Sequence, residues 1–485
     1  MSTGIEARTS AGNGSPDAAN PADSVEAAAP AVSTDAEATT DTSATGSALS
    51  RREMLMIGAT GAAAFATGAA AQEAGPDAPA VASGSVAGMP FRAYVRHGTE
   101  GTVEDLRLRD IKPTQVLVRT RGSCGCYTVT TSVLGDFPQP TPTIPNHSGM
   151  GTVEAVGAQV RRVRVGDRVL VSGTPWCGQC HQCLTGTPEW CNYLAPGGVP
   201  NDPIADMADG TGVIEASVIG GLSEIIVAYE EYCVPIFSDL PDEQIAMLGD
   251  TGAVGIAATS VYDPVQIGQN VVIFGAGPVG LAAVQGARAQ AAGQIIVVEP
   301  VRYRRERAIG FGASTVLDPN EDTDTLVDRI RELCAPPTDR LDAGGQIAGR
   351  GLISMRGADL VVEASGLDRY PPAVETGPDP TGLLALRQAW EVTAPGGSLV
   401  TLAVQTGDIA FPGSAFCLSG KRIYGGQMAG MNVMRDTARF VTAMENGAVD
   451  IGAIITATPM LEDVRQAFQG VADRTELGVV ITFPS

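Results

Sequence analysis

Asn270-Val-Val-Ile-Phe-Gly-Ala-Gly-Pro-Val-Gly280 is the stretch on which the fold turns. An apolar, β-branched run leads straight into Gly275, Gly277 and Gly280, and the segment Val279–Gln290 that follows reads as a helix. A glycine triplet alone is weak evidence. Here an acid, Glu299, also closes the next apolar run, Gln294–Val298, 19 residues after Gly280. Strand, glycine turn, helix, strand and acid together make a dinucleotide-binding unit. Gly275 permits the tight turn, Gly277 lets backbone approach a pyrophosphate, and Gly280 lets helix and strand pack closely. Pro278 and Val279 open the helix, whose first N–H groups and positive end suit phosphate. Glu299 is placed to accept hydrogen bonds from ribose hydroxyls and to repel a 2′-phosphate, which predicts NAD rather than NADP. Arg302, Arg304 and Arg305 just downstream would soften that preference. The competing reading is a glycine-rich structural turn.

Outward from this unit the same rhythm continues. Asp359–Glu363 and Gly397–Leu402 read as further strands, and Asp242–Tyr262 as a Gly/Ala-rich helical segment. Alternating strands and helices predict a doubly wound α/β domain over 246–409. Text rich in Pro, Gly and Asp interrupts it at 335–353 and 369–382, which suggests surface insertions. Upstream, Gln115–Arg119, Gly151–Val156, Asp167–Val171 and Leu222–Ala228 are short strands separated by turn residues, the pattern of a barrel-like β domain.

Inside the β region stand Cys177, Cys180, Cys183 and Cys191, spaced C-x2-C-x2-C-x7-C and threaded with Gly178, Gly186 and Pro188. Four thiolates so close together can surround one tetrahedral Zn2+ and leave it no open position, which makes the site structural. The alternatives are two disulfides or four free thiols, and a chain with ample hydrophobic segments needs no disulfides to fold. His181, within the run, is expected to face solvent, and His97 has no assigned role. Cys233, Cys334 and Cys417 stand alone and read as buried apolar residues. The net charge of −22 argues against nucleic acid or an anionic membrane surface as a partner.

Residues 1–50 hold seven acids, one base and almost no large apolar side chain, so they are expected to be disordered. Arg51-Arg52 then precede a mild apolar run, Met56–Ala71, ending in Ala69-Ala-Ala71. Paired arginines in that setting over 51–71 predict a twin-arginine export signal cleaved near Ala71/Gln72, and hence a periplasmic or cell-surface protein. A transmembrane anchor or a chance arginine pair are the alternatives. Gly58, Gly61 and Gly68 dilute the run and weaken the spanning reading. Residues 72–89 read as a Pro/Ala/Gly linker.

From about residue 90 to 485 the chain resembles the zinc-dependent medium-chain alcohol dehydrogenases. The resemblance rests on the four-cysteine run, the glycine fingerprint, Gly166-Asp167-Arg168-Val169 and a second set of metal positions. It implies a GroES-like β-barrel catalytic domain, 90–245 and 410–485, with the tail packing back on it, beside a Rossmann domain that binds NAD. It also implies a catalytic zinc, making two Zn2+ per chain, held by Cys126, His147 and Asp250, with Cys124 as runner-up to Cys126. Asp250 read without the family is a helix cap or a solvated acid, and His147 a structural histidine. The implied chemistry is zinc-assisted hydride transfer between an alcohol and NAD, with Thr128 passing the hydroxyl proton outward. A homodimer or homotetramer is expected from the same source.

Several positions depart from the family pattern. Ser148 stands in place of a glutamate beside the zinc, and Gly478 in place of an arginine that neighbours that glutamate. Losing both avoids an unpaired charge. Val129 replaces an aspartate that orients the histidine ligand, and Tyr127 replaces a phosphate-contacting residue. Gly173 replaces a bulky pocket residue. With Phe137 on another wall and Ser148 beside the metal, a wide pocket and a medium-to-bulky alcohol are expected. Export further suggests tightly held NAD, recycled in place by an unknown electron acceptor. The reading from another class is a non-redox, zinc- and nucleotide-binding scaffold that has lost its catalytic metal. A zinc-independent reductase of the same superfamily is disfavoured by Cys126, His147 and Asp250 together.

Overall fold

A computed structural model describes residues 85–135, 142–194, 198–321, 325–335, 356–366, 383–405 and 407–484. The leader 1–50, the arginine-pair segment 51–71, most of the linker 72–89, Phe137 and nearly all of the two insertions lie outside the described residues.

The strand Asn270–Phe274 sits at the centre of a parallel sheet, between Gln294–Val298 and Ala358–Glu363. Thr315–Leu317 extends the sheet on one side, and Thr393–Thr401 then Arg422–Gly425 extend it on the other. Burial on both faces explains the nearly unbroken apolar runs. Val271, Ile273 and Val297 point into a core shared with Ala253, Ala257 and Leu281, whereas Val272, Phe274 and Ile296 point into one shared with Leu326, Ile330 and Trp390. The two-residue period of a strand divides these neighbours between the faces. Arg422–Gly425 pairs with this sheet beyond residue 409, so the α/β domain does not end where the sequence suggested. That edge strand is short and mostly exposed, and so carries no apolar run that would reveal it.

In the β domain, Pro90–His97, Glu100–Leu108, Ala205–Asp206, Gly212–Glu215 and Thr143–Ile144 close a small barrel. The adjoining sheet is built on Gln115–Gly125, which pairs with Ser148–Val156, Ile225–Tyr229 and Gly478–Thr482. The tail therefore packs back on the β domain, with Val479 opposite Gly125. Gly478 is tight against backbone: a Cβ there would lie 2.9 Å from the Ile454 carbonyl oxygen.

Asp242–Tyr262 is not one helix but two, Asp242–Met247 and Thr251–Ser260. The break falls at Gly249, where a Cβ would lie 2.9 Å from that of Ser148, and at Asp250, whose φ of −153° and ψ of −104° leave the helical region. Cys417 also departs from expectation. Cys233 and Cys334 are buried, but Cys417 is exposed, because the helix Gly413–Leu418 buries only Ala415 and turns Phe416 and Leu418 outward. No helix among the described residues is long and apolar enough to cross a membrane.

Candidate active site

Three elements of different parentage converge beside the β domain. Cys126 stands at the N-terminus of the helix Tyr127–Leu134, His147 precedes the strand Ser148–Val156, and Asp250 occupies the helix break. The Cys126 Sγ lies 3.5 Å from His147 Nε2, which is 2.9 Å from Asp250 Oδ2. All three donor atoms lie within 4.8 Å of one another. Asp250 sits at a helix N-cap yet its side chain caps nothing; it is buried and directed at His147. Burial works against charge on His147, but its interactions with Cys126 and the Asp250 carboxylate outweigh it and hold the imidazole pKa well above its ordinary value. Burial likewise opposes the Asp250 carboxylate, and His147 more than compensates, so that pKa falls. One sulfur, one nitrogen and one carboxylate oxygen are the donors a catalytic zinc takes while keeping a position open.

Asn146 aims this set. It holds φ of 83°, a left-handed conformation that asparagine tolerates better than most residues. Its Nδ2 donates to Ser123 Oγ at 2.7 Å and to the Cys124 carbonyl at 2.9 Å, and its Oδ1 accepts from the His147 N–H at 2.7 Å. Cys124 is not a member of the donor set. Its buried thiol lies 3.4 Å from Met247 Sδ and 3.5 Å from Thr251 Oγ1, and burial pushes its pKa up.

The four-cysteine run folds into a lobe with no disulfide. Cys177 and Cys183 sulfurs are 3.9 Å apart, those of Cys180 and Cys191 4.0 Å, and all four atoms lie within 4.8 Å of one another. Tetrahedral Zn–S bonds of about 2.3 Å require sulfurs about 3.8 Å apart, so the lobe fits zinc. Burial opposes ionisation of Cys180, yet N–H donors from Asn192 and Cys183 bring its thiol down to about 6. His181 is exposed, as expected.

A cavity of about 430 Å³ opens over the three-residue donor set. Cys126, Tyr127, Thr128, His147, Gly173 and Asp250 line one side, and Ser365, Gly366, Val404 and Met428 the other. The second group follows the C-terminal ends of parallel strands, where α/β sheets bind their ligands. Buried Glu363 ties two of these loops together by accepting hydrogen bonds from Ser365 N and Oγ and from Thr401 Oγ1. Thr128 Oγ1 lies 2.7 Å from Cys126 Sγ and faces the cavity. A Cβ on Gly173 would lie 3.0 Å from the His147 carbonyl, so glycine there both widens the cavity and spares the His147 backbone. Ser148 corrects an expectation: it is fully buried, its hydroxyl donates to the Cys124 carbonyl, and it does not line the cavity, because its strand turns that side chain toward Gln115–Gly125.

Two family models match the chain, an alcohol dehydrogenase GroES-like domain over residues 112–241 and a zinc-binding dehydrogenase domain over 278–443, together more than half its length. The chain belongs to the zinc-dependent alcohol dehydrogenase family. A geraniol dehydrogenase from Castellaniella defragrans is 40% identical over 233 residues, 46% of this chain and 61% of that one. An NDMA-dependent alcohol dehydrogenase from Amycolatopsis methanolica is 26% identical over 401 residues, 81% of this chain and 99% of that one. The fold is shared with an alcohol dehydrogenase zinc-binding domain protein from Burkholderia ambifaria, 24% identical, TM-score 0.68, covering 82% of this chain and 99% of the other. The family's cofactors are zinc and a nicotinamide dinucleotide.

The dehydrogenase fingerprint fits such a dinucleotide. Gly275 has φ of 94°, and a Cβ on Gly280 would lie 1.9 Å from the Gly275 carbonyl oxygen. A Cβ on Gly277 would meet nothing within 4 Å, so this position faces open space at the N-terminus of the helix Pro278–Ala289, where Pro278 and Val279 form the first turn. Glu299 has a role that its sequence position did not announce. It is buried, and its oxygens accept from the Ala276 N–H at 2.7 Å and the Val301 N–H at 2.9 Å, bracing the glycine turn. Arg305 pairs with Asp318 and Arg304 donates to the Glu476 carbonyl, whereas Arg302 pairs only with Glu306 among the described contacts and is 85% exposed. Sequence reading missed the cavity positions 364–366, 402–404 and 426–428. The first two were within reach, since each follows a strand of the parallel sheet; the third follows the edge strand that has no apolar signal.

Proposed function

We propose that this dehydrogenase oxidises a medium-to-bulky alcohol with NAD, or reduces the matching carbonyl compound. The observation that carries the reading is that one cavity is bounded by Cys126, His147 and Asp250 on one side and by strand-end loops of the dinucleotide domain on the other. Bound zinc supplies Lewis acidity toward the alcohol oxygen, and bound NAD accepts the hydride. Cys126, His147 and Asp250 would hold the zinc; the lobe of Cys177, Cys180, Cys183 and Cys191 would hold the second. Thr128 is the cavity hydroxyl beside Cys126 and would relay the alcohol proton, accepting it as its own hydroxyl proton passes outward to solvent. An acid, Glu299, closes the second strand beside the glycine turn where a basic residue would be needed to welcome a 2′-phosphate, which favours NAD over NADP. The cavity's volume and the glycine at 173 favour a larger substrate than ethanol, in line with a relative named for geraniol. The arginine pair ahead of a mild apolar run supports export through the twin-arginine route to the periplasm or cell surface. That route carries folded proteins, and free NAD is scarce outside the cytoplasm, so the enzyme would travel with NAD bound. A relative named for dependence on NDMA fits an external acceptor that regenerates the cofactor in place.

Native mass spectrometry of the zinc-loaded protein, joined to turnover assays, tests the reading. Two zincs per subunit, a co-purifying NAD and higher kcat/KM for geraniol than for ethanol are expected, along with a dimer or tetramer. A single zinc per chain without turnover would favour the non-redox scaffold.

A further inference from the structure

The four-cysteine lobe reaches the cavity directly at one residue and indirectly through a second contact. Directly after Cys191, the turn Asn192–Leu194 sets Leu194 in the cavity wall. Within the lobe, Glu189 is only 4% exposed, and its Oε1 accepts a hydrogen bond of 3.2 Å from the Tyr262 hydroxyl. Tyr262 lies just beyond the helix Thr251–Ser260, 73 positions from Glu189 in the chain. Its ring stacks on Tyr424 of the edge strand, with centroids 5.0 Å apart and planes 9° from parallel. It also fills the space of two missing side chains: a Cβ on Gly426 would fall 2.1 Å from the Tyr262 hydroxyl, and one on Gly430 2.4 Å from the ring.

Between those glycines, Met428 and Ala429 hold φ of 50° and 52°. Side-chain-bearing residues remain in such conformations only where their surroundings over-determine them. Gly426, Gln427 and Met428 line the cavity and follow the C-terminal end of the strand Arg422–Gly425, the end at which a parallel sheet receives a dinucleotide.

We propose that Glu189 and Tyr262 are positioning residues, whose hydrogen bond lets the four-cysteine lobe hold the Gly426–Gly430 segment in the shape that binds the nicotinamide dinucleotide. The inference rests on the dinucleotide reading given above. It makes the lobe part of the cofactor site as well as a staple of the fold.

Fluorescence titration of the full-length, zinc-loaded protein with NADH tests this, after any co-purified nucleotide has been removed. Tyr262→Phe deletes only the hydroxyl, Glu189→Ala deletes the acceptor, and Glu189→Gln keeps an acceptor oxygen. Loss of one hydrogen bond predicts NADH binding weakened about 3- to 10-fold in the first two variants. Glu189→Gln is expected to stay within about twofold of wild type, and all three are expected to keep both zincs. Wild-type affinity in Tyr262→Phe would overturn the inference, as would a loss of affinity that tracks loss of lobe zinc. Failure of the wild type itself to bind NADH would instead overturn the dinucleotide reading beneath it.

Discussion

Asn146 carries more of the site than its position in the chain announces. The reading from sequence took His147 as a ligand and passed over the residue before it, because nothing local shows that Asn146 bonds to Ser123 and Cys124 some twenty residues away. Asp250 was legible as an acid near a helix start, but its direction was not; the choice between capping and ligation is made by His147, 103 positions distant. Glu215 is a second case of context overruling residue type. This carboxyl is fully buried in the barrel, where burial raises its pKa well above the ordinary range against the opposing N–H of Val227. From the ordinary glutamate pKa of about 4.3 upward, the unfolded chain has released this proton while the folded chain still holds it. Stability therefore falls as pH rises through that window. Glu215→Gln keeps the acceptor for Val227 and removes the titration, so unfolding free energies from urea titration should diverge in favour of the variant between pH 4.5 and neutrality, by about 1 kcal/mol or more. Parallel midpoint curves for the two proteins would show that Glu215 is not the source.

At the scale of elements, the strand–turn–helix unit 270–289 behaved as its local pattern required: Gly275 takes a positive φ, Gly280 packs against the Gly275 carbonyl and Gly277 opens the helix, although Gly275 is also crowded by Ala364 from the neighbouring strand's end. Its two later glycines separate folding from binding. Gly280→Ala drives a methyl onto the Gly275 carbonyl and should destabilise the protein by about 1–3 kcal/mol or more. Gly277→Ala, at φ of −71° with open space before it, should leave stability within about 0.5 kcal/mol yet weaken NADH binding by at least about tenfold, because the methyl enters the path of the pyrophosphate. Denaturant titration beside NADH titration distinguishes the two effects. The helix break at Gly249–Asp250 was not legible from composition. Gly249 and Asp250 are a stop and a cap residue, but they stand among other glycines of the Ala- and Gly-rich text from 242 to 262, and packing against Ser148 fixes the interruption there.

For the whole molecule, the cavity lies where the barrel side and the parallel sheet face each other, so a dinucleotide would engage the α/β domain and reach toward Cys126, His147 and Asp250 at once. Binding to the folded chain alone should raise its stability by about 2.7 kcal/mol at a free NADH concentration a hundred times Kd, and the melting temperature with it. A calorimetric scan with and without NADH checks this, and Gly277→Ala should keep about half of the shift or less at the same NADH concentration, since tenfold weaker binding leaves about 1.4 kcal/mol. Local order along the chain was enough to establish both domain types, the cysteine lobe and the glycine turn, because strand periodicity, ligand spacing and turn chemistry act over a few residues. The assembly of Cys126, His147 and Asp250, the inward turn of Glu299 and the link from Glu189 to Tyr262 took the folded chain to decide. Those contacts join residues 21 to 103 positions apart, and it is burial and packing between elements, to which local patterns are blind, that bring them together.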